Sequence, residues 1–225
     1  LAVNSMPIVN LGLDSAICEI EPEVVFDAGN VTSGYVWSNG ENSQAISTKI
    51  EDEYSVIVTD TNGCIGYDTV FLTVYPMPTV NMADDEICIG DAAVTFDVGA
   101  VFDTYDWDNT GAGTSQTLTT DVDGEHTVIF TDANGCVGHD TAVLTVHPLP
   151  TPDLGKDDTI CFTEPDVIFD AGAYDNYSWS SGETSQTIAK HESGTFEVEV
   201  TDANGCKQTD EVKLLVIEMP APDVI

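Results

Sequence analysis

The sequence predicts an all-β protein made of three tandem β-sandwich modules in an extended array. Three observations carry that prediction. The phrase TDANGC stands at Thr131–Cys136 and again at Thr201–Cys206, with the near copy TDTNGC at Thr59–Cys64. Tryptophan recurs at Trp37, Trp107 and Trp179, each in the pattern YxW. Stretches such as EYSVIVTD alternate apolar and polar residues with a period of two, which marks a half-buried strand. A catalytic site is rarely needed in triplicate at constant spacing. A structural corner that recurs about every seventy residues is what a repeat architecture contains.

Taken in chain order, each copy presents the same elements. The openings IVNLGLDSAIC, TVNMADDEIC and TPDLGKDDTIC lead into a first strand that ends in cysteine. VVFDAG, VTFDVG and VIFDAG form the second strand, and the YxW segments form a central strand whose Trp faces between the sheets. In the penultimate strand, Tyr54, Val56 and Val58 share one face, as do His126, Val128 and Phe130, and then Phe196, Val198 and Val200. DTNG or DANG closes a tight hairpin, because Asn-Gly tolerates the positive φ of a primed turn. The following cysteine is read as stapling that turn to an early strand. Six or seven short strands with regular turn signals make a β-sandwich.

The dipeptides Met6-Pro7, Met77-Pro78, Leu149-Pro150 and Met219-Pro220 mark the junctions, which are too short to be floppy linkers. Residues 1–7 are read as the end of a preceding repeat and its junction. The repeats proper are 8–78, 79–150 and 151–220, and 221–225 is the start of a fourth. The expectation is a slice of a longer array.

Forty Asp and Glu stand against five Lys, with no Arg, for a net charge of −35. Such a chain lacks the clustered cations that bind nucleic acid, and it is repelled by an anionic leaflet. Its charge gives solubility, self-repulsion and a demand for cations. With 42% apolar residues it has material for a core, which argues against disorder. No apolar run approaches the roughly 18–20 residues that cross a bilayer, so direct membrane insertion is not expected.

Cys18, Cys88 and Cys161 stand in an "IC" context, and Cys64, Cys136 and Cys206 in the "NGC" context. One pair per copy, with no CxxC and no His at zinc spacing, reads as disulfides formed in an oxidising compartment. The favoured pairing is Cys18–Cys64, Cys88–Cys136 and Cys161–Cys206, because independent modules seldom rely on neighbours to close their bonds. Closing a loop of about 47 residues contributes roughly 4 kcal/mol in the chain-entropy treatment. One tension keeps a second pairing open. In a strict sandwich topology the first strand ends at the pole far from the hairpin, beyond the roughly 7 Å that a disulfide allows between Cα atoms. A bond across a junction, such as Cys18 with Cys136, escapes that conflict.

Catalysis is not expected. His126, His139, His147 and His191 occupy non-equivalent places, and no nucleophile elbow, HExxH or glycine-rich phosphate loop is present. His126 replaces Tyr54 and Phe196 of the other copies and reads as a core or rim filler. Calcium at the module junctions is the sharper candidate. Its ligands would come from the second-strand acids Asp27, Asp97 and Asp170 and from the turn residues Asp60, Asn62, Asp132, Asn134, Asp202 and Asn204. The junction acids Asp14, Asp84 and Asp157, with Asp85 and Asp158 beside them, would complete the set. Such clusters suit an ion that takes six to eight oxygens. The competing reading is that Asp and Asn at strand ends make Asx-turns and nothing else. Tyr35, Tyr105 and Tyr177 lie on the face of their Trp, which favours packing over a sugar platform. Candidate contact surfaces are the loops that differ most among copies: Asn30–Gly34, Ala100–Thr104 and Thr110–Gly113.

The pattern YxWSxGxxSQxI followed by TDxNGC and a terminal apolar strand resembles the PKD-like and Ig-like tandem repeats of Bacteroidetes surface proteins. Among these are the large gliding and cell-surface adhesins exported by the type IX secretion system. The PKD pattern has FGDG after the Trp, where this chain has SNG, DNTG and SSG. The resemblance implies an extracellular, cell-surface location and a role in extending a protein away from the cell, with neighbouring repeats as partners. It also implies O-glycosylation at Asp-Ser/Thr motifs, here at Asp14, Asp68, Asp140 and Asp158. The expected function is a structural stalk or spacer of an adhesin. The alternatives are modules that bind glycans or other extracellular ligands directly, and an accessory region of a secreted hydrolase.

Overall fold

The computed structural model describes residues 4–30, 33–108 and 115–218. Among these every regular element is a β-strand, eighteen in all, and none is a helix. In the first repeat β1 (Ser15–Cys18), β6 (Ile65–Tyr75), β5 (Asp52–Thr59) and β3 (Gly34–Trp37) form a four-stranded sheet in the order β1-β6-β5-β3. Beside it β2 (Val24–Asp27) pairs with β4 (Ala45–Thr48). The second repeat repeats this with β7 (Asp85–Cys88), β12 (Val137–His147), β11 (Gly124–Thr131) and β9 (Thr104–Trp107), and with β10 (Thr117–Thr120) paired to β8 (Val94–Asp97). The third has β13 (Asp158–Cys161), β18 (Lys207–Ile217), β17 (Gly194–Thr201) and β15 (Asn176–Trp179), and β14 (Val167–Asp170) paired to β16 (Thr187–Lys190).

Compactness divides the chain differently from the repeats. One unit comprises Leu1–Met82, Asp97–Leu118 and His126–Thr141; the other comprises Ala83–Phe96, Thr119–Glu125 and Ala142–Ile225. The middle repeat thus gives residues to both units. Leu1–Val3, read as a strand of a preceding copy, lie outside the described residues. So do Met219–Pro220, residues 221–225, the loop Thr110–Gly113 and residues 31–32 of the Asn30–Gly34 loop.

Each unit carries a core produced by the alternation in the sequence. In the first, Tyr54, Val56 and Val58 of β5 are buried against Phe26, Trp37, Ile46, Val70 and Leu72. In the second, Phe196, Val198 and Val200 of β17 are buried with Phe169, Trp179, Ile188, Val212 and Leu214. Phe26 meets Tyr54, and Phe169 meets Phe196, with ring centroids 5.7 Å apart in each pair. Each Trp indole Nε1–H donates to a serine carbonyl of the SQ motif: Ser43 at 2.8 Å, Ser115 at 3.1 Å and Ser185 at 2.8 Å. The buried ring therefore leaves no polar atom unmatched.

The first strand of each repeat does not join its sheet as a hairpin. β1 runs parallel to β6 with Cys18 opposite Tyr75, β7 parallel to β12 with Cys88 opposite His147, and β13 parallel to β18 with Cys161 opposite Ile217. This pairing overturns the favoured disulfides. Cys64 immediately precedes Ile65, the first residue of the 11-residue β6, whereas Cys18 lies beside its last residue, Tyr75. Eleven residues of strand separate the two poles by roughly 35 Å, far beyond a disulfide's reach. The same register separates Cys88 from Cys136 and Cys161 from Cys206.

The bonds run instead to the neighbouring repeat. Cys18 is joined to Cys136 and Cys88 to Cys206, each pair with Cα atoms 5.6 Å apart and a sequence separation of 118. Cys64 and Cys161 are free thiols. A closed loop of that length restricts the unfolded chain by about 5 kcal/mol in the chain-entropy treatment. The two loops overlap in sequence, so their effects do not simply add. Peptide mapping of the unreduced protein with its thiols alkylated is expected to yield linked peptides for Cys18–Cys136 and Cys88–Cys206, with Cys64 and Cys161 alkylated. Recovery of a Cys18–Cys64 peptide would overturn the parallel register.

Candidate functional site

The residues that recur in all three copies gather at the strand ends, and the structure gives them backbone partners. In the five residues between β5 and β6, Asp60 Oδ1 accepts from the backbone N–H of Asn62 and of Cys64, both at 2.8 Å. Asp132 does the same for Asn134 and Cys136, and Asp202 for Asn204 and Cys206, all at 2.9 Å. The positive φ of these turns falls on Gly63, Gly135 and Gly205, at 81°, 83° and 82°. Asp108 is the sole non-glycine residue of positive φ among the described residues, so the asparagines do not adopt the primed hairpin conformation. An Asx-turn that also holds the cysteine backbone takes its place. TDxNGC is therefore a device for placing a cysteine at one pole of the repeat.

A second recurring constellation ties together the two strands of the small sheet. Gln44, Gln116 and Gln186, next to the serines that receive the indoles, reach Asp27, Asp97 and Asp170 with their side-chain amides. The same Asp Oδ1 atoms accept from the N–H of Gly29, Gly99 and Gly172. The bond from Gln44 and then that from Gly29 hold the Asp27 carboxyl below the usual range. Asp170 is lowered by Gln186 and then Gly172, and Asp97 by Gly99 and then Gln116. In the third repeat Lys190 Nζ donates to Glu183 at 2.7 Å, which brings the Glu183 carboxyl down to about 2.

The junction acids secure the entry of the chain into each sheet. Asp14, Asp84 and Asp157 accept from the N–H of Phe71, Val143 and Lys213 at the parallel pairing. Asp85 and Asp158 accept from the next residue's N–H. Asp68 and Asp140, expected as modification motifs, share a strand position with Asp210 of the third repeat. They point inward on the last strand and accept from the N–H of Leu11, Met82 and Leu154 at 2.8, 2.6 and 2.7 Å. The signal for them was legible, since each is a carboxylate in phase with buried apolar residues of its strand. Every carboxylate proposed for calcium thus has an oxygen engaged with a backbone N–H. Asn62, Asn134 and Asn204 lie exposed in the turns. No group of three His, Cys, Asp or Glu gathers into a metal-holding set among the described residues.

Where one repeat passes into the next, glycine makes room for proline. A methyl group at Gly66 would collide with the Pro7 carbonyl oxygen and press on Val9; one at Gly138 would collide with the Pro78 carbonyl oxygen and the Phe130 ring. A shallow groove lies there between Ile20, Met77 and Pro78 on one side and Val137, Gly138 and His139 on the other. His126 is buried, as a core filler should be, with its Nδ1 2.9 Å from Asp108 Oδ2. Tyr105 and Tyr177 donate their hydroxyls to the carbonyls of Ala100 and Gly172, and Tyr35 to that of Gly29. The tyrosines therefore brace the loops that follow the second strands.

No protein-family profile matches the chain. No curated protein matches it either. Solved structures that resemble it include tandem Ig domains and an adhesin. A three-Ig-domain stretch of titin is 10% identical and covers 96% of this chain and 100% of its own, with a TM-score of 0.48. A structure from work on host cell surface retention of a 1.5-MDa bacterial ice-binding adhesin is 17% identical over 97% of this chain and 100% of its own, with a TM-score of 0.35. Immunoglobulin domains 1–4 of Sidekick-1 are 13% identical over 93% of this chain and 75% of theirs, at a TM-score of 0.33. At such scores the likeness adds no argument about function. The strand order above carries the fold by itself: all-β, in three repeated pairs of sheets.

Two outcomes follow from this geometry. Gly138→Ala is expected to destabilise the protein by about 1–3 kcal/mol, the range for overpacking a tight site, measured by urea denaturation. The Glu183–Lys190 pair makes an acid prediction. A carboxyl lowered from 4.5 to about 2 contributes stability that is complete above pH 4.5 and drains as pH falls towards 2. The parent should therefore melt above Glu183→Gln at pH 7, with the gap closing near pH 2. A gap independent of pH would remove the ion pair from the account.

Proposed function

We propose that this chain is a non-catalytic stalk or spacer segment of an extracellular cell-surface adhesin. One observation carries the reading: each disulfide joins a repeat to its neighbour and none closes a repeat on itself. A module that acts alone gains nothing from such a bond. A series that must hold its neighbours in place does, because the bond limits rotation about the proline junction and shortens the chain that tension can draw out. Disulfides persist in oxidising compartments, which supports export. The net charge of −35 keeps neighbouring molecules apart over a Debye length of about 8 Å in physiological salt. The resemblance of the repeats to Bacteroidetes surface adhesins supports type IX export and a place on the cell surface.

Small-angle X-ray scattering tests the reading, first in EDTA and then in millimolar calcium. A stalk is expected to scatter as an elongated particle in both. A compact particle in either buffer would overturn it and favour a ligand held between repeats, such as a surface glycan. Elongation that appears only with calcium would bring the junction carboxylates in as ligands.

A further inference from the structure

We infer that Cys64 and Cys161 are the two halves of one further inter-repeat disulfide, each a docking thiol for another repeat of this same kind. The inference goes beyond the stalk reading and does not depend on it. Position is the first argument. Cys161 ends β13 opposite Ile217, as Cys18 ends β1 opposite Tyr75 and Cys88 ends β7 opposite His147. Cys64 is held in its turn by Asp60 as Cys136 is by Asp132 and Cys206 by Asp202. Both bonds in the structure join an "IC" cysteine to an "NGC" cysteine of the next repeat. The free pair consists of one cysteine of each kind.

Burial is the second argument, and it points to what the partner supplies. Cys136 and Cys206, bonded, are 0% and 1% exposed, whereas Cys64 at the same position is only half-buried. Cys18, bonded, is 7% exposed and Cys88, bonded, is half-buried, whereas Cys161 is exposed. Next to Cys64, Ile65 and Tyr67 stand out at 54% and 75% exposure. Their counterparts Val137 and His139 line the groove shared with Ile20, Met77 and Pro78 of the preceding repeat. Next to Cys161, Phe162 is 61% exposed. The uncovered cysteines are thus flanked by apolar side chains at the places where repeats meet. The partner that fits them is a repeat presenting the complementary cysteine, and a second copy of this chain set head to tail presents it.

The chemistry is thiol–disulfide exchange. Oxidised glutathione, the oxidant, forms a mixed disulfide on one cysteine with release of one glutathione thiolate. The thiolate of the other cysteine then attacks that protein sulfur and expels the second. Two protein thiols lose two protons and two electrons, and one glutathione disulfide becomes two thiols.

The test uses two single variants of the whole chain, Cys64→Ser and Cys161→Ser, mixed in equal amounts in a glutathione redox buffer. A mixed dimer linked through Cys161 of one molecule and Cys64 of the other is expected in roughly twentyfold excess over either homodimer, the twofold of random pairing multiplied by the tenfold that about 1.4 kcal/mol of docking preference produces. The parent chain should form a ladder of multimers in the same buffer. Peptide maps showing intact Cys18–Cys136 and Cys88–Cys206 bonds confirm that the variants are folded. A mixed species no more than twice as abundant as either homodimer, the ratio of random pairing, would overturn the proposal. So would thiols left capped by glutathione, or a parent chain that closes Cys64 on Cys161 within one molecule.

Discussion

The parallel pairing of the first strand of each repeat with its last is the constraint on which the other features depend. A parallel neighbour cannot be reached by a tight turn, so the strand must enter from outside the sheet. It comes from the proline junction and runs in the same direction as the strand that will later leave. Entry and exit therefore lie at opposite poles of the repeat, and every element takes its place in that direction. Asp14, Asp84 and Asp157 hold the entering strand by bonding the N–H of its partner. Asp68, Asp140 and Asp210 hold the segment just ahead of it from inside the last strand.

That polarity decides the covalent chemistry. The cysteine that ends the first strand is carried to the exit pole, and the one after the hairpin stays at the entry pole. Within a repeat they cannot meet. Across a junction the exit pole of one repeat faces the entry pole of the next, and there Cys18 finds Cys136 and Cys88 finds Cys206. A block of about seventy residues buries only about 60% of its unfolded surface and is marginal alone. Bonds to neighbours make its stability partly a property of the series, as in other repeat arrays.

The abundant carboxylates have a quieter role than their number suggests. Near the strand ends they accept from backbone N–H groups that the short strands leave unpaired, and an N–H so placed must find some partner. The low titration of Asp27, Asp97 and Asp170 is the electrostatic trace of that role. It stabilises the ionised form in a chain whose overall charge works against compactness. The glutamine of the SQ motif then ties these carboxylates to the opposite strand of the small sheet, while the serine before it receives the indole.

Much of this was legible in the residues. The three copies, the inward face of the penultimate strand, the buried Trp, the corner at TDxNGC and the packing of His126 all follow from local rules: side chains alternate along a strand, and glycine tolerates positive φ. Asp68, Asp140 and Asp210 could have been read as structural from their phase with Val70, Ala142 and Val212. The cysteine partners could not be read in this way. Equal numbers and regular spacing suit pairing within a repeat as well as between repeats, and the choice turns on whether the first strand runs parallel or antiparallel to the last. Strand direction leaves no mark on a four-residue segment such as SAIC, because alternation looks the same read either way. Local chemistry, which acts between near neighbours in the chain, was determined by the sequence alone. Which poles face each other was decided only by the tertiary structure, through a strand pairing whose partners lie more than fifty residues apart.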